Sequence, residues 1–206
     1  MIEKQKPTSN TEHTQINPFR SATLSNTSWV VYAEGFKRAA EILIENVTTT
    51  LEINTVIFPI LALFRQYVEL TLKEIISYGQ YLEGHDVRQG GHILKSLWAT
   101  AKSYTRKHYK DLEKEKIDRI EFIISELHQM DPTSEATRYP FVKSKTATSG
   151  LAESFSYEAK PINLDELAGK IIELGGLLHD VASYLSVCQE LEAEFRAEYY
   201  DGWEDY

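Results

Sequence analysis

Three side chains raise the question of chemistry first: Arg65, Glu69 and Lys73, four residues apart in an otherwise apolar stretch. On a helix that spacing lines up a guanidinium, a carboxylate and an ammonium on one face. The plainest reading is a solvated stripe with weak ion pairs; the sharper one is a charged cluster that grips a phosphate. Glu74 falls on the same wheel among Leu63, Tyr67 and Leu70, where a carboxylate needs a cation or a hydrogen bond. His92 follows Gly90 and Gly91 at a predicted helix start, where the positive end of the dipole favours a neutral ring able to move protons. Packing or capping is the commoner role for such a histidine. Arg138 precedes Tyr139 and Pro140, a grouping that can hold a phosphate and stack a base, or simply staple two segments together. Lys95, Lys102, Arg106, Lys107 and Lys110 succeed one another with no acid before Asp111, and Tyr104 and Tyr109 stand among them. Such a strip can track a nucleic-acid backbone, although a solvated helix face is its ordinary meaning.

Locally encoded signatures are missing. The chain has no GxxxxGK[ST] loop, no GxGxxG turn, no HExxH and no CxxC. Its histidines, at 13, 85, 92, 108, 128 and 179, never pair at one-turn spacing, and Cys188 is the lone cysteine. No metal or cofactor is therefore expected, and a single thiol fits a reducing cytoplasm. A triad assembled from distant positions stays open.

The elements that must position these groups read as helices. With 206 residues, 42% hydrophobic and 26% charged, the chain is long enough for one self-sufficient core. The net charge of -9 argues against a general nucleic-acid coat, which needs excess cations to displace counterions. Its longest apolar run, Val56 to Phe64, contains Pro59 and falls well short of the about 20 residues a bilayer span requires, so it is read as core, with no membrane contact. Residues 1–27 are polar and read as a flexible arm without a signal peptide. A first helix begins at Trp29 behind Ser28, with Glu34 and Arg38 one turn apart, and ends in Thr48 to Thr50. A second covers Thr55 to Tyr81, apolar over most of its circumference, with Pro59 near its first turn or at a kink. His92 opens a third helix with Leu94, Leu97, Trp98 and Ala101 inward. A fourth follows Leu112 and stops at Asp131-Pro132. Residues 131–162 form a long polar insertion with a short hairpin, Tyr139 to Val142 against Phe155 to Tyr157. Asn163 with Glu166 caps a last helix that runs to Tyr200, and Gly175-Gly176 within it implies a close neighbour. The fold class is all-α, a bundle of four to five helices over residues 28–191, followed by an acidic aromatic tail over 192–206.

Particular motifs suggest kinship. Tyr32-x-x-Gly35 with Ala39-Ala40, Phe58-Pro59, Arg65, Glu69-Leu70 and Leu72-Lys73 stand in order. They are followed by Gly91-His92-x-Leu94-x-x-Leu97-Trp98 and by Asp131-Pro132-x-Ser134 with Arg138-Tyr139-Pro140. This set resembles a bacterial group of helical proteins related to the HEPN superfamily, and the likeness spans about Trp29 to Leu191. The resemblance implies a helical bundle, often dimeric, in toxin–antitoxin, abortive-infection or other antiviral systems. Active members are metal-independent RNases that use an Arg and a His with four to six residues between them, a spacing from which this sequence departs. Here Arg88 and His92 have three residues between them, Arg106 and His108 one, and Arg119 and His128 eight, and Ile93 stands where relatives often carry Asp.

Two expectations follow. The favoured one is a non-catalytic HEPN-like subunit that works through a protein partner or a homodimer, anchored by Tyr199, Tyr200, Trp203 and Tyr206. Its rival is an RNase in which His92 moves the proton while Arg65 and Arg138 hold the phosphate with Glu69 beside them. Lys73, Glu74 and Tyr139 would then complete the binding surface, and Lys102, Arg106 and Lys107 would guide RNA. A small-molecule sensor is a third class, since helical bundles host pockets between helices.

Overall fold

A computed structural model describes residues 28–88, 90–143, 151–153 and 161–201. Five helices carry the fold: α1 (Trp29–Asn46), α2 (Thr50–Leu82), α3 (Leu94–His108), α4 (Lys114–Met130) and α5 (Leu164–Asp201). Among the described residues the only strands are β1 (Phe141–Lys143) and β2 (Leu151–Glu153), a short antiparallel pair with Phe141 opposite Glu153. The expected hairpin thus takes its second strand from Leu151–Glu153; residues 155–157 lie outside the described residues.

α2 begins five residues before the predicted Thr55 because Thr49 caps it. The Thr49 hydroxyl accepts from the Glu52 amide, and the Glu52 carboxylate accepts in return from the Thr49 amide, a reciprocal capping box. The β-branched run 48–50 does end α1, but its last members start the next helix. Pro59 lies inside α2, beyond the first turn, on an exposed face. Ser28 precedes α1 without a capping bond from its side chain, and Arg38 reaches Glu41 and Glu45 while Glu34 takes Lys37. α3 starts at Leu94, leaving His92 on the loop just before it.

α2 is the central helix, packed against α1, α3 and α5. Its Ile60, Leu61, Phe64, Val68, Leu72 and Ile75 are fully buried with Leu94, Ile120, Ile123, Ile171, Leu174 and Leu178 from the helices around it. Tyr67 lies against Gly175 and Tyr81 against Arg196, so α2 and α5 run in the same direction. Arg119 and Glu126 of α4 pair with Glu173 and Lys170 of α5, so those two helices run in opposite directions, and Lys102 of α3 pairs with Glu121 of α4. By length and composition α2 and α5 are each apolar enough to cross a bilayer; in α2 half of the apolar window is buried within the bundle.

α5 opens as its sequence indicates, with the Asn163 side chain accepting from the amides of Asp165 and Glu166. Glu166 does not reach back to the cap but pairs with Lys170 at 2.7 Å. Gly175 answers the expected close neighbour: a Cβ there would stand 3.1 Å from Lys37 Cε and 3.5 Å from the Tyr67 hydroxyl. At Gly176 the space is open.

Candidate functional site

The ladder on α2 is not solvated. Arg65 and Glu69 are 1% and 2% exposed, and the Lys73 side chain is almost as well covered. The expectation of a solvated stripe is corrected by what covers it: the loop carrying His92, and the turn after α4. Arg65 donates from Nη1 to Glu69 at 3.1 Å, from Nη2 to the His92 carbonyl at 2.7 Å, and from Nε to the Asp131 carbonyl at 3.4 Å. Each nitrogen of the guanidinium is thereby engaged. Glu69 is held on both sides, since its second oxygen meets Lys73 Nζ at 2.9 Å and His92 Nδ1 at 2.6 Å. Burial alone would push the Glu69 carboxyl up, but the bonds and charges of Lys73 and His92 bring it below the ordinary carboxylate value.

Asp131 is the second hub, a residue the sequence marks as a helix stop and as part of the Asp-Pro-x-Ser motif, with no site role. Fully buried, it accepts through Oδ1 from the amides of Glu135 and Ala136 at 2.9 and 3.1 Å. Its Oδ2 accepts from the Thr137 hydroxyl at 2.7 Å and the Thr137 amide at 3.3 Å. Those bonds outweigh burial and depress its pKa. The carboxylate thus folds residues 131–138 into a turn while the backbone carbonyl of the same residue ties that turn to Arg65. The Asp-Pro-x-Ser order is the signal that was available, since Asp side chains organise turns by bonding amides further along. Ser134 takes a φ of 67°, a left-handed conformation rare outside glycine.

His92 is the exposed member, its side chain 73% open to solvent. Glu69 fixes Nδ1, and among the described residues Nε2 has no hydrogen-bond partner. A carboxylate-oriented imidazole with a free outer nitrogen has the form of a general acid/base. Arg65, Glu69 and Lys73 of the predicted constellation meet at His92, whereas Arg138 and Glu74 do not join them. Arg138 turns back onto its own loop, donating to the Ser134 carbonyl at 2.5 Å and the Ser134 hydroxyl at 3.3 Å, with its guanidinium 5.8 Å from the Tyr139 ring. Glu74 lies on another face of α2, against α5, and bonds the Tyr78 hydroxyl at 2.8 Å.

The basic strip on α3 is partly neutralised. Lys102 pairs with Glu121, and Lys107 pairs with Glu83 at 2.8 Å. Lys95, Arg106 and Lys110 are exposed and, among the described residues, make no ion pair. Trp203 and Tyr206 lie outside the described residues, as do the side chains of Tyr199 and Tyr200 within α5. No three His, Cys, Asp or Glu side chains converge as a metal site among the described residues. In comparison with known proteins, the chain matches no family model, no curated sequence and no solved structure.

Proposed function

We propose that this chain is a non-catalytic, HEPN-like helical subunit of a bacterial intracellular conflict or antiviral defence system, acting through protein partners or a second copy of itself. One observation carries the reading: the arginines that would have to hold a phosphate are engaged within the fold. Arg65 is buried and bonded to Glu69, His92 and Asp131, and Arg138 is bonded to Ser134. Releasing Arg65 to a substrate would leave a buried carboxylate and two carbonyls short of a donor, a cost of several kcal/mol (about 1–3 for each unsatisfied group). α5 offers a surface consistent with partner binding, because Val187, Leu191 and Phe195 form an exposed apolar row at one-turn spacing.

A second reading, a metal-independent RNase, is favoured by the Glu69–His92 pair alone. His92 Nε2 would take the 2′-hydroxyl proton or protonate the leaving oxygen, Glu69 would hold the ring, and the exposed cations Lys95 and Arg106 would attract the RNA. The deciding experiment is RNA integrity and growth after induced expression in bacteria, wild type beside His92→Ala. Intact RNA and normal growth in both is the expected result. Discrete fragments and growth arrest that vanish in His92→Ala would overturn the binding-subunit reading and establish the nuclease.

A further inference from the structure

On the far side of α2 from the Arg65 ladder, a cleft of about 270 Å³ opens between α1, α2 and α5. Its walls are largely apolar, supplied by Val30, Ala33, Ala182 and Val187 together with the rings of Tyr67 and Tyr78. Set into this apolar surface is Glu74, 4% exposed. One of its carboxylate oxygens accepts from the Tyr78 hydroxyl, and among the described residues the other has no hydrogen-bond partner. A second carboxylate, Glu34 of α1, lines the same cleft and pairs with Lys37 at 3.3 Å.

The charge balance selects the ligand. Burial pushes the Glu74 carboxyl up; the Tyr78 hydrogen bond and the charge of His179 offset part of that rise, and the Glu34 charge adds a smaller one. Tyr67 is likewise held well above the usual phenol range, first by burial and then by Glu34, Glu74 and Glu41. For Tyr78, burial and the Glu74 carboxylate raise the hydroxyl to about 12. The charges around the two tyrosines are negative, Glu34, Glu74 and Glu41 at Tyr67 and Glu74 and Glu190 at Tyr78. Lys37 and His179 are the cationic or cationisable groups nearby: Lys37 lies over Tyr67 at 5.8 Å, outside the lining, and His179 is turned to Ser183 at 3.4 Å. Burial of the Glu74 carboxylate costs desolvation that a cationic donor entering the cleft would offset. Aromatic faces beside it are where an organic cation is stabilised further.

We propose that this cleft is a binding site for a small organic ammonium or guanidinium compound with a short apolar body. Its cationic end would pair with the unmet oxygen of Glu74 between the Tyr67 and Tyr78 rings. Its apolar end would lie along Val30, Ala182 and Val187 toward the mouth. The size is that of a compact amine and not of a nucleotide, since dedicated drug-sized pockets begin at about 300 Å³. The site shares no residue with the Arg65, Glu69 and His92 cluster and only Val187 with the exposed row on α5, so its test is separate from that of the function proposed above.

Isothermal titration of the full chain with n-pentylamine and benzylamine, beside 1-pentanol and benzyl alcohol as their uncharged counterparts, tests the proposal. At least one amine should bind at millimolar concentration or better while its alcohol counterpart does not. Glu74→Gln keeps the shape and can still accept from Tyr78, and should weaken that amine about tenfold or more, as loss of a desolvated charge partner does. Ser183→Trp, at an exposed position on the rim, should block entry without touching the core. Circular dichroism of both variants keeps a folding defect from passing for lost binding. Equal binding of amine and alcohol, an amine affinity unchanged in Glu74→Gln, or no binding of any amine up to about 10 mM (roughly 3 kcal/mol) would each overturn it.

Discussion

Arg65 shows how much one residue depends on partners remote in sequence. The order Arg65, Glu69, Lys73 predicts a charged line on a helix, and the line is there. Its environment was not legible, because a helical wheel gives the face a side chain takes and not what lies over that face. Here the cover comes from the His92 carbonyl, 27 residues on, and the Asp131 carbonyl, 66 residues on. Glu74 was legible in the other sense: its apolar neighbours on the wheel demanded a donor, and Tyr78 supplies one. Since the Arg65 guanidinium is fully bonded and almost fully buried, Arg65→Met removes one charge and leaves Glu69 and two carbonyls under-satisfied. That should destabilise the fold by about 3–5 kcal/mol, the usual cost of breaking a buried ion pair from one side. Lys73→Met should cost less, because Glu69 keeps Arg65 and His92 and the lysine has one bond to lose. Urea unfolding followed by far-UV circular dichroism measures both; an Arg65→Met variant no less stable than Lys73→Met would show that the ladder does not anchor the fold.

At the level of helices, periodicity gave the five elements and most of their inward positions, because a 3.6-residue repeat of apolar side chains is a local signal. Boundaries failed where two local signals compete. The β-branched run 48–50 reads as a stop, yet Thr49 with Glu52 is also a start. The close approaches between helices were the least legible, because a glycine in a helical pattern does not say which neighbour it admits. Gly175 and Gly176 are adjacent in sequence, and only the first has a neighbour within contact of an added Cβ. Gly79 gave no sequence signal at all, yet an added Cβ there would fall 2.2 Å from Tyr104 Cγ, so the Tyr104 ring of α3 lies directly on the α2 backbone. Opposite outcomes are therefore expected from the same substitution. Gly176→Ala should stabilise the protein by about 0.5–1 kcal/mol through helix propensity alone. Gly79→Ala should destabilise it by about 1–3 kcal/mol, as overpacking does, and Tyr104→Ala in the same chain should recover part of the loss. Thermal melts of the two alanine variants and the double variant decide the matter, and a stabilising Gly79→Ala would mean that α3 does not sit against α2 at this point.

Across the whole molecule, the two buried carboxylate hubs and the isolated Glu74 pull stability in opposite directions with pH. Glu69 and Asp131 titrate below their ordinary values of 4.5 and 3.8, so the folded state binds those protons less readily than the unfolded chain. Their contribution is fully present above those ordinary values and is lost as pH falls through the depressed ones. Glu74 is raised above 4.5, so between its ordinary and its raised value the folded state holds the extra proton, and stability declines as pH rises through that window. Glu83, Glu121, Glu166 and Glu173 are also lowered by lysine or arginine partners at the surface, where salt screens them, and Glu52 by hydrogen bonds from Thr48 and Thr49. Added salt should therefore flatten part of the acid limb and leave the part due to Glu69 and Asp131. Melting temperatures from pH 3 to 8 should separate the contributions. Asp131→Asn should lower the melting temperature at pH 7, through amides left facing an amide nitrogen, and should make the remaining acid limb shallower than in wild type. Glu74→Gln should do the reverse, removing the decline above the ordinary carboxylate value and leaving the acid limb steep. Because the Glu74 penalty arises from burial of the charged carboxylate beside the cleft, a bound amine should also raise the melting temperature of wild type more at pH 7 than at pH 4. If Glu74→Gln instead steepened the decline toward neutral pH, the carboxylate would be stabilised by a partner in the fold, and the cleft would have no charge left to offer a ligand.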